Sequence, residues 1–219
     1  MTETSPDDRG ADDHDPGIIL PVLVRAAVAQ DAPALAELMA RAFTDDPWTQ
    51  GHAHPDGDLE QRLREHYLLL LSEHWIPAQT VDVAEASTPA GPAALGAAIW
   101  ESPDGAEEPE GLGARAGGIL GLDPQVEEAD ERRLVQQRPE HPYWHLSMLT
   151  VSPAAQGRGV GTSLLEHGLQ RAEGLPVALE STTPGSRRLY ERWGFELVEL
   201  ITDAAGVRQA IMLRAPGTH

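Results

Sequence analysis

The sequence predicts an α/β (α+β) protein, with a mixed, mostly antiparallel sheet of about 6-7 strands flanked by helices. Three observations predict it: short apolar runs of strand length, amphipathic runs with helical spacing between several of them, and two pairs of strand-like runs joined directly by Gly-containing turns. The order of these runs implies helices on both faces of the sheet. The predicted strands are 18–27, 81–86, 93–100, 144–151, 176–180, 195–202 and 208–213.

The chain begins with a polar, acidic segment. Residues 1–16 hold six acids, one Arg and two Pro, so we expect a disordered acidic tail. A length of 219 residues fits one domain, which we place at 17–216. No run of about 18 apolar residues occurs, and the N-terminus has no signal-peptide core. We therefore expect a cytoplasmic protein. The first strand, 18–27, contains Pro21, which suits an edge strand or a strand start.

Two helices are predicted before the central strands. Asp31 is placed to cap a helix that begins at Ala32, with Pro33 in its first turn. Apolar residues at one-face spacing continue this helix to Phe43, and Asp45-Asp46-Pro47 ends it. The following segment, with Trp48, His52 and His54, is predicted to be a loop. The run Asp58 to Trp75 is predicted to be the second helix.

The middle of the chain is predicted as a hairpin, an insert and a helix. The strands 81–86 and 93–100 are joined by a Pro/Gly turn, as in a hairpin. The segment 102–121 is rich in Gly, Pro and Glu, which predicts a loop or a loosely helical insert. A short helix follows over 124–138.

The last third alternates strands with helices. The strand 144–151 leads through a glycine-rich turn into a helix over 162–173. After the strand 176–180, a short helix over 186–193 is closed by Gly194, a natural residue to follow a helix end. The last two strands form a hairpin around Asp203-Ala204-Ala205-Gly206.

Composition excludes several kinds of chemistry. The chain has no Cys, Lys or Asn, which rules out thiolate nucleophiles, zinc–thiolate sites, Schiff-base lysines and a P-loop lysine. The net charge is −19, and an acidic field of this size disfavours nucleic acid as a partner. Residues 150–195 hold four acids and five Arg, a net charge of +1. The segment around the glycine turn is therefore the least acidic one and suits an anionic ligand.

The turn itself, Gln156-Gly157-Arg158-Gly159-Val160-Gly161, indicates a phosphate site. Glycines let the backbone approach a ligand closely, and the free N–H groups of a helix start attract negative charge. A P-loop is excluded by the missing Lys. A dinucleotide fingerprint would need glycine at Thr162, and too little chain follows for a doubly wound sheet. A tight turn that serves only packing stays open.

The turn resembles the Q/R-x-x-G-x-G/A signature of the GNAT superfamily of acetyl-CoA-dependent N-acetyltransferases. The sequence 189–195, Leu-Tyr-Glu-Arg-Trp-Gly-Phe, resembles the L-Y-x-x-x-G-F helix ending of the same superfamily. Residues 31–43 look like its first helix, and the resemblance covers about residues 18–214. It implies an N-acetyltransferase with acetyl-CoA as co-substrate. Pro184 departs from the pattern, because many of these enzymes have an Asn there that contacts the cofactor.

A closer resemblance is to the puromycin N-acetyltransferase group. It is carried by residues 138–144 and 179–182 and by the Trp100-x-x-Pro103 strand exit. It implies a small-molecule acceptor, such as an antibiotic or nucleoside-like amine, and antibiotic resistance as the biological role. Alternatives are a protein or peptide N-acetyltransferase and a catalytically silent CoA-binding regulatory domain.

The resemblance also assigns candidate site residues. It places the pyrophosphate on the glycine turn and pantetheine beside the strand before it, with a β-bulge near Leu149–Thr150. Tyr190 is the candidate general acid, because a phenol of pKa about 10 matches a thiolate leaving group. The cofactor-binding candidates are Leu149, Thr150, Val151, Gln156, Gly157, Arg158, Gly159, Val160, Gly161 and Thr162.

The general base stays open between Glu180, His145, the pair Asp45–Asp46, and no dedicated base. Glu180 is the candidate that we name beside Tyr190. Trp48, Tyr67 and Trp144 are candidates for an acceptor pocket, although aromatic residues are more often part of the core. No predicted helix contains a His pair with metal-binding spacing, so no metal site is predicted. We expect a monomer or homodimer with no nucleic-acid or membrane partner.

Overall fold

The computed structural model of the protein describes residues 22–89, 91–172 and 174–217. The predicted tail 1–16 and the start of the first predicted strand lie outside this part. Seven strands of the described residues form one sheet, and all neighbours are antiparallel except β4 and β5. The sheet order is β1-β2-β3-β4-β5-β7-β6. The strands are β1 Leu23–Ala26, β2 Val81–Thr88, β3 Gly91–Glu101, β4 Trp144–Val151, β5 Val177–Ser181, β6 Phe195–Thr202 and β7 Arg208–Arg214.

Seven α-helices of the described residues flank the sheet. They are α1 Ala32–Phe43, α2 Pro47–His52, α3 Leu59–Leu70, α4 Leu112–Leu120, α5 Pro124–Val135, α6 Val160–Arg171 and α7 Pro184–Arg192. A π-helical turn, Leu71–Trp75, continues α3. The expected fold class, an α/β fold with a mostly antiparallel sheet between helices, is confirmed. Within the described ranges, no helix has both the length and the apolar character that a bilayer crossing requires.

Helices occupy one predicted loop and the segment predicted as a loop or a loosely helical insert. In α2, Pro47 occupies the first turn and Asp46 caps the helix by accepting the Trp48 N–H at 2.9 Å. In the sequence, Pro47 predicts only the end of the preceding helix, α1, and not the start of α2. In α4, Leu112, Ala116 and Leu120 are buried at a spacing of four residues, so tertiary packing stabilises a helix despite its glycines.

The sheet packs against two hydrophobic cores. One core lies between the sheet and the helices α1 and α3, and the other contains side chains of α6 and α7. Trp100 of β3 is fully buried in the second core. Gly168 of α6 lies directly against its indole ring, because an added Cβ would stand 2.0 Å from Cζ2. This contact brings α6 close to the sheet and so places the glycine turn at its N-terminus.

Candidate active site

The candidate site is a cleft where two central strands separate. β4 and β5 pair over three residue pairs only, from Trp144↔Val177 to Leu146↔Leu179. Beyond these pairs β4 continues along β3, and β5 continues along β7. A β-bulge places Ser147 as the extra residue of β4, because Met148 pairs Ile99 and Leu146 pairs Trp100. The bulge expected near Leu149–Thr150 is therefore wrong by two residues. The observed bulge at Ser147 lies where β4 separates from β5. A bulge bends its strand, which accounts for the separation.

The cleft has a volume of about 570 Å³ and contains both candidate catalytic residues, Tyr190 and Glu180, in its lining. Leu149, Thr150 and Val151 of β4 line it as well. Gln156 also lines the cleft, whereas the glycine turn beyond it, residues 157–162, does not. The two motifs found in the sequence thus meet at one cleft, with the turn just outside its lining.

The glycine turn has the backbone conformation that its composition predicts. Gly157 and Gly159 have φ of 73° and 83°, and a Cβ added to either would meet nothing within 4 Å. The Ser163 N–H donates to the Gly159 carbonyl at 2.9 Å, so the N–H groups of the preceding first helical turn have no intrahelical acceptor. These residues form an open cradle with free donors, which suits a pyrophosphate.

Tyr190 lies in the second half of α7 and is buried. Its ring packs against Phe195 at 5.8 Å between centroids. Burial raises the pKa of Tyr190 above its ordinary value of 10.0. The phenol therefore keeps its proton at neutral pH, as a general acid must.

Glu180 belongs to a buried polar network on the cleft floor. Its Oε2 lies 2.6 Å from Nε2 of His145, and its Oε1 accepts from Nε of Arg138 at 3.1 Å. The other ring nitrogen of His145, Nδ1, lies 3.0 Å from Oε2 of Glu101. Arg138 also pairs with Glu131 at 3.1 Å. The His145 ring thus bridges two carboxylates, one in the cleft and one, Glu101, whose side chain is 53% exposed.

This network changes the protonation of its members. Burial disfavours the charged form of His145, but its hydrogen bonds to Glu101 and Glu180 outweigh burial and raise its pKa to about 9. Burial acts to raise the pKa of Glu180, yet the His145 hydrogen bond and Arg138 lower it below 4.5. At neutral pH the network therefore holds a carboxylate at Glu180 and a protonated ring at His145.

We expect the free energy of unfolding to depend on pH through His145. The pKa of His145 rises from 6.5 in the unfolded chain to about 9 in the folded chain. The protonated His145 therefore contributes about 3 kcal/mol to the free energy of unfolding below pH 6.5, and this contribution is lost as pH rises through 9. Urea unfolding at about pH 6 and about pH 10 measures this loss. In the control His145→Gln the loss should be absent, and an equal loss in both proteins would contradict the assignment.

One side of the cleft is acidic and aromatic. Asp45, Asp46, Trp48 and Tyr67 line it. Both carboxylate oxygens of Asp46 are engaged, because Oδ1 caps α2 and Oδ2 accepts from the Thr182 hydroxyl at 2.8 Å. The predicted pocket role of Trp48 and Tyr67 fits this lining, whereas Trp144 packs with the second core instead.

The sequence predicts no site role for two partners of His145 and Glu180. Arg138 belongs only to the segment 138–144 that carries the resemblance, and nothing in the sequence marks Glu101. Glu101 pairs with His145 across β3 and β4, so only the strand register brings them together. Side chains alternate between the two faces of a strand, so the sequence only weakly indicates which residues of neighbouring strands share a face. The bulge at Ser147 shifts this alternation.

Comparison with known proteins agrees with this geometry. Residues 118–197 match the acetyltransferase (GNAT) domain family. A curated relative, an uncharacterized N-acetyltransferase of Schizosaccharomyces pombe, is 34% identical over 91 residues, covering 39% of this chain and 36% of the relative. The chain thus spans little more than a third of that relative's length.

Solved structures extend the similarity over most of the chain. One similar solved structure is the crystal structure of histone acetyltransferase HPA2 and related acetyltransferase from Corynebacterium glutamicum. Its sequence is 27% identical to this chain, the match covers 90% of this chain and 98% of that chain, and the TM-score is 0.71. A polyamine N-acetyltransferase of Drosophila melanogaster is 23% identical, with coverages of 88% and 98% and a TM-score of 0.56. These similarities confirm the fold, and together with the domain match they support the expected enzyme class, an N-acetyltransferase.

Proposed function

We propose that this chain, in which residues 118–197 match the acetyltransferase (GNAT) domain, transfers the acetyl group of acetyl-CoA to the primary amine of a small molecule. The observation that carries the proposal is the meeting of Tyr190, Glu180 and β4 in one cleft whose edge continues into the glycine cradle. The working unit is a cytoplasmic monomer or homodimer without nucleic-acid or membrane partners.

The donor half of the site fits acetyl-CoA. The glycine cradle offers free N–H groups to the pyrophosphate, and Arg158 adds a positive charge in the same turn. Beyond the three pairs with β5, residues 147–151 of β4 have no strand neighbour on the cleft side within the described part of the chain. The pantetheine arm has amide groups that can pair there like an extra strand. This geometry leads the thioester from the cradle towards Tyr190.

The acceptor half fits a cationic amine. Asp45, Asp46 and Glu180 line the cleft, and they attract an ammonium group, while Trp48 and Tyr67 supply flat apolar contact. The polyamine named for the Drosophila relative and the aminonucleoside implied by the puromycin-type resemblance both present such an amine.

The chemistry is direct transfer. The ammonium of the acceptor first loses a proton through water to the Glu180 carboxylate, since His145 already carries its proton at neutral pH. The free amine nitrogen then attacks the thioester carbonyl carbon, the C–S bond breaks, and the Tyr190 hydroxyl donates its proton to the departing sulfur. The new amide nitrogen gives up its second proton, which returns through water to Tyr190, and an amide and free CoA remain. The oxygens of Asp46 and of Glu180 are all engaged. His145, however, links Glu180 to Glu101, a partly exposed carboxylate. We choose the Glu180–His145 pair because this link offers the proton a route towards solvent.

The experiment that tests the function is an assay of the full chain with acetyl-CoA and three amines. A polyamine, an aminonucleoside and a peptide with a free N-terminus serve as acceptors, and release of the CoA thiol is followed. We expect turnover with one of the two small amines. Turnover with the peptide alone would instead assign a peptide N-acetyltransferase, and acetyl-CoA binding without turnover would assign a regulatory CoA-binding domain.

Gly159→Val tests the donor site separately. The valine side chain would project from the cradle into the space that the pyrophosphate needs, so we expect KM for acetyl-CoA to rise at least about tenfold. Gly174→Val is the matched control, because Gly174 has a similar φ of 86° and equally open surroundings but lies after α6. An equal KM for both variants would place the pyrophosphate elsewhere.

A further inference from the structure

Three side chains outside the proposed catalytic groups converge in a buried cluster. His52 ends α2, Asp130 lies in α5, and Asp203 opens the turn between β6 and β7. Their side chains are 5%, 9% and 1% exposed. One ring nitrogen and one carboxylate oxygen from each Asp lie within 4.8 Å of one another. We call these three residues the His52 cluster.

The orientation of the His52 ring fixes which nitrogen faces the carboxylates. Nδ1 lies 2.9 Å from the Trp48 carbonyl oxygen, which can only accept, so Nδ1 carries a proton. In the neutral ring Nε2 is then a bare lone pair. That lone pair points at Oδ2 of Asp130 and at Oδ2 of Asp203.

Gln209 donates to Oδ2 of Asp203 at 2.9 Å. Arg133 lies 3.7 Å from Oδ1 of Asp130. These contacts leave Nε2 of His52 and Oδ2 of Asp130 facing each other. These two electron-rich atoms need a positive charge between them, either a proton or a metal ion.

The distances favour a metal ion over a proton. Nε2 of His52 lies 3.3 Å from the Asp130 oxygen and 3.6 Å from the Asp203 oxygen. Charge-assisted N–H···O bonds are about 2.7–2.9 Å long, and the protonated ring of His145 lies 2.6 Å and 3.0 Å from its two carboxylates. Ligands about 2.1 Å from a tetrahedral Zn²⁺ are separated by about 3.4 Å, which is the spacing around His52.

The remaining hydrogen bonds orient the three groups as ligands. The Nδ1–H donation to a backbone carbonyl is the usual outer contact of a metal-bound histidine. Oδ1 of Asp203 accepts the N–H groups of Ala205 and Val207 at 3.1 and 2.8 Å. Oδ1 of Asp130 accepts the Ala204 N–H at 3.2 Å. In both carboxylates it is Oδ2 that faces His52.

We propose that the His52 cluster binds a divalent metal ion, with Zn²⁺ as the ion that best suits one imidazole and two carboxylates. Water completes the fourth position. The sequence predicts no metal site, because no predicted helix contains a histidine pair with metal-binding spacing. These ligands are instead about 75 residues apart along the chain and meet only in the fold.

The site would join three segments on the acceptor side of the cleft. The His52 ring stacks on Trp48 at 4.7 Å between centroids, and Trp48 lines the cleft. Gln209 donates to Oδ2 of Asp203 at 2.9 Å and lines the same cleft. A bound ion therefore fixes α2 and its aromatic wall against β7 without touching the reacting atoms.

Metal titration of the full chain tests this site. After dialysis against a chelator, we expect one equivalent of Zn²⁺ to bind and Tm to rise by about 5–10 °C at about 100 times Kd. Co²⁺ should give the visible absorption of a four-coordinate ion. His52→Gln and Asp130→Asn should weaken Zn²⁺ binding at least about 100-fold, whereas His54→Gln, which alters the exposed histidine two residues away, should leave it unchanged.

A second measurement needs no variant. The ¹⁵N chemical shift of His52 Nε2 distinguishes a metal-bound nitrogen from a protonated one. A protonated Nε2 in the presence of Zn²⁺ would show that the cluster is an ion pair and would overturn the proposal. Failure of the unsubstituted chain to bind Zn²⁺ or Co²⁺, or equal binding by His52→Gln, would overturn it too.

Discussion

Replacing Tyr190 by phenylalanine is expected to lower kcat by about 10²–10⁴-fold, the range of general acid catalysis. The change deletes only the hydroxyl, so the ring keeps its contact with Phe195 and the fold persists. The departing thiolate then loses the proton donor that the proposed mechanism assigns to it. Since the hydroxyl acts on the leaving group, KM for acetyl-CoA should change little.

Steady-state kinetics with the acceptor found in the amine assay measure this loss. Tyr143→Phe is the matched control, because Tyr143 lines a separate depression beside Glu101 and does not line the main cleft. Its kcat should equal that of the unsubstituted chain. An unchanged kcat for Tyr190→Phe, with thermal stability retained, would remove Tyr190 from the reaction.

We expect Gly168→Ala to lower the free energy of unfolding by about 3 kcal/mol, the largest loss of stability among the substitutions described. The new Cβ would stand 2.0 Å from Cζ2 and 2.1 Å from Cε2 of Trp100, and the indole is fully buried in the second core. Neither the ring nor α6 can move aside without opening other contacts. The strain therefore reaches the helix that carries the glycine turn.

Urea unfolding gives the loss directly. Gly161→Ala is the control within the same helix, because its Cβ would meet Leu189 and Val151 at ordinary distances of 3.4 and 3.5 Å. Alanine is also the better helix former by up to about 1 kcal/mol, so this variant should be as stable as the original or more stable. Equal stability of the two variants would mean that α6 does not pack on Trp100 as described.

Prediction from sequence succeeded where a local pattern decides the structure. The bounds of β4 and β6 are as predicted, and α1 runs from Ala32 to Phe43, since apolar spacing and flanking breakers mark them. It failed at α2 and was indefinite at α4, where the composition predicts a loop or a loosely helical insert. The glycine-containing sequences of these helices have weak intrinsic preference, and the cap at Asp46 and the burial of Leu112 stabilise them only within the fold.

The candidate site divides in the same way. The glycine turn and Tyr190 are short contiguous motifs, and their resemblance to a superfamily sufficed to propose them. The partners of His145 depend on strand register, and a bulge at Ser147 alters that register. The His52 cluster depends on three distant segments, so no local pattern indicates it.

The early separation of β4 from β5 also bears on self-association. An unpaired strand edge at the rim of a sheet can recruit the strand of another chain and so promote aggregation. Here the unpaired length of β4 is in the middle of the sheet, bounded by β5 and by the acidic wall of the cleft. A second folded chain cannot reach it, but a thin, extended molecule can. The protein thereby keeps hydrogen-bonding backbone groups available to a small ligand without offering them to its own copies.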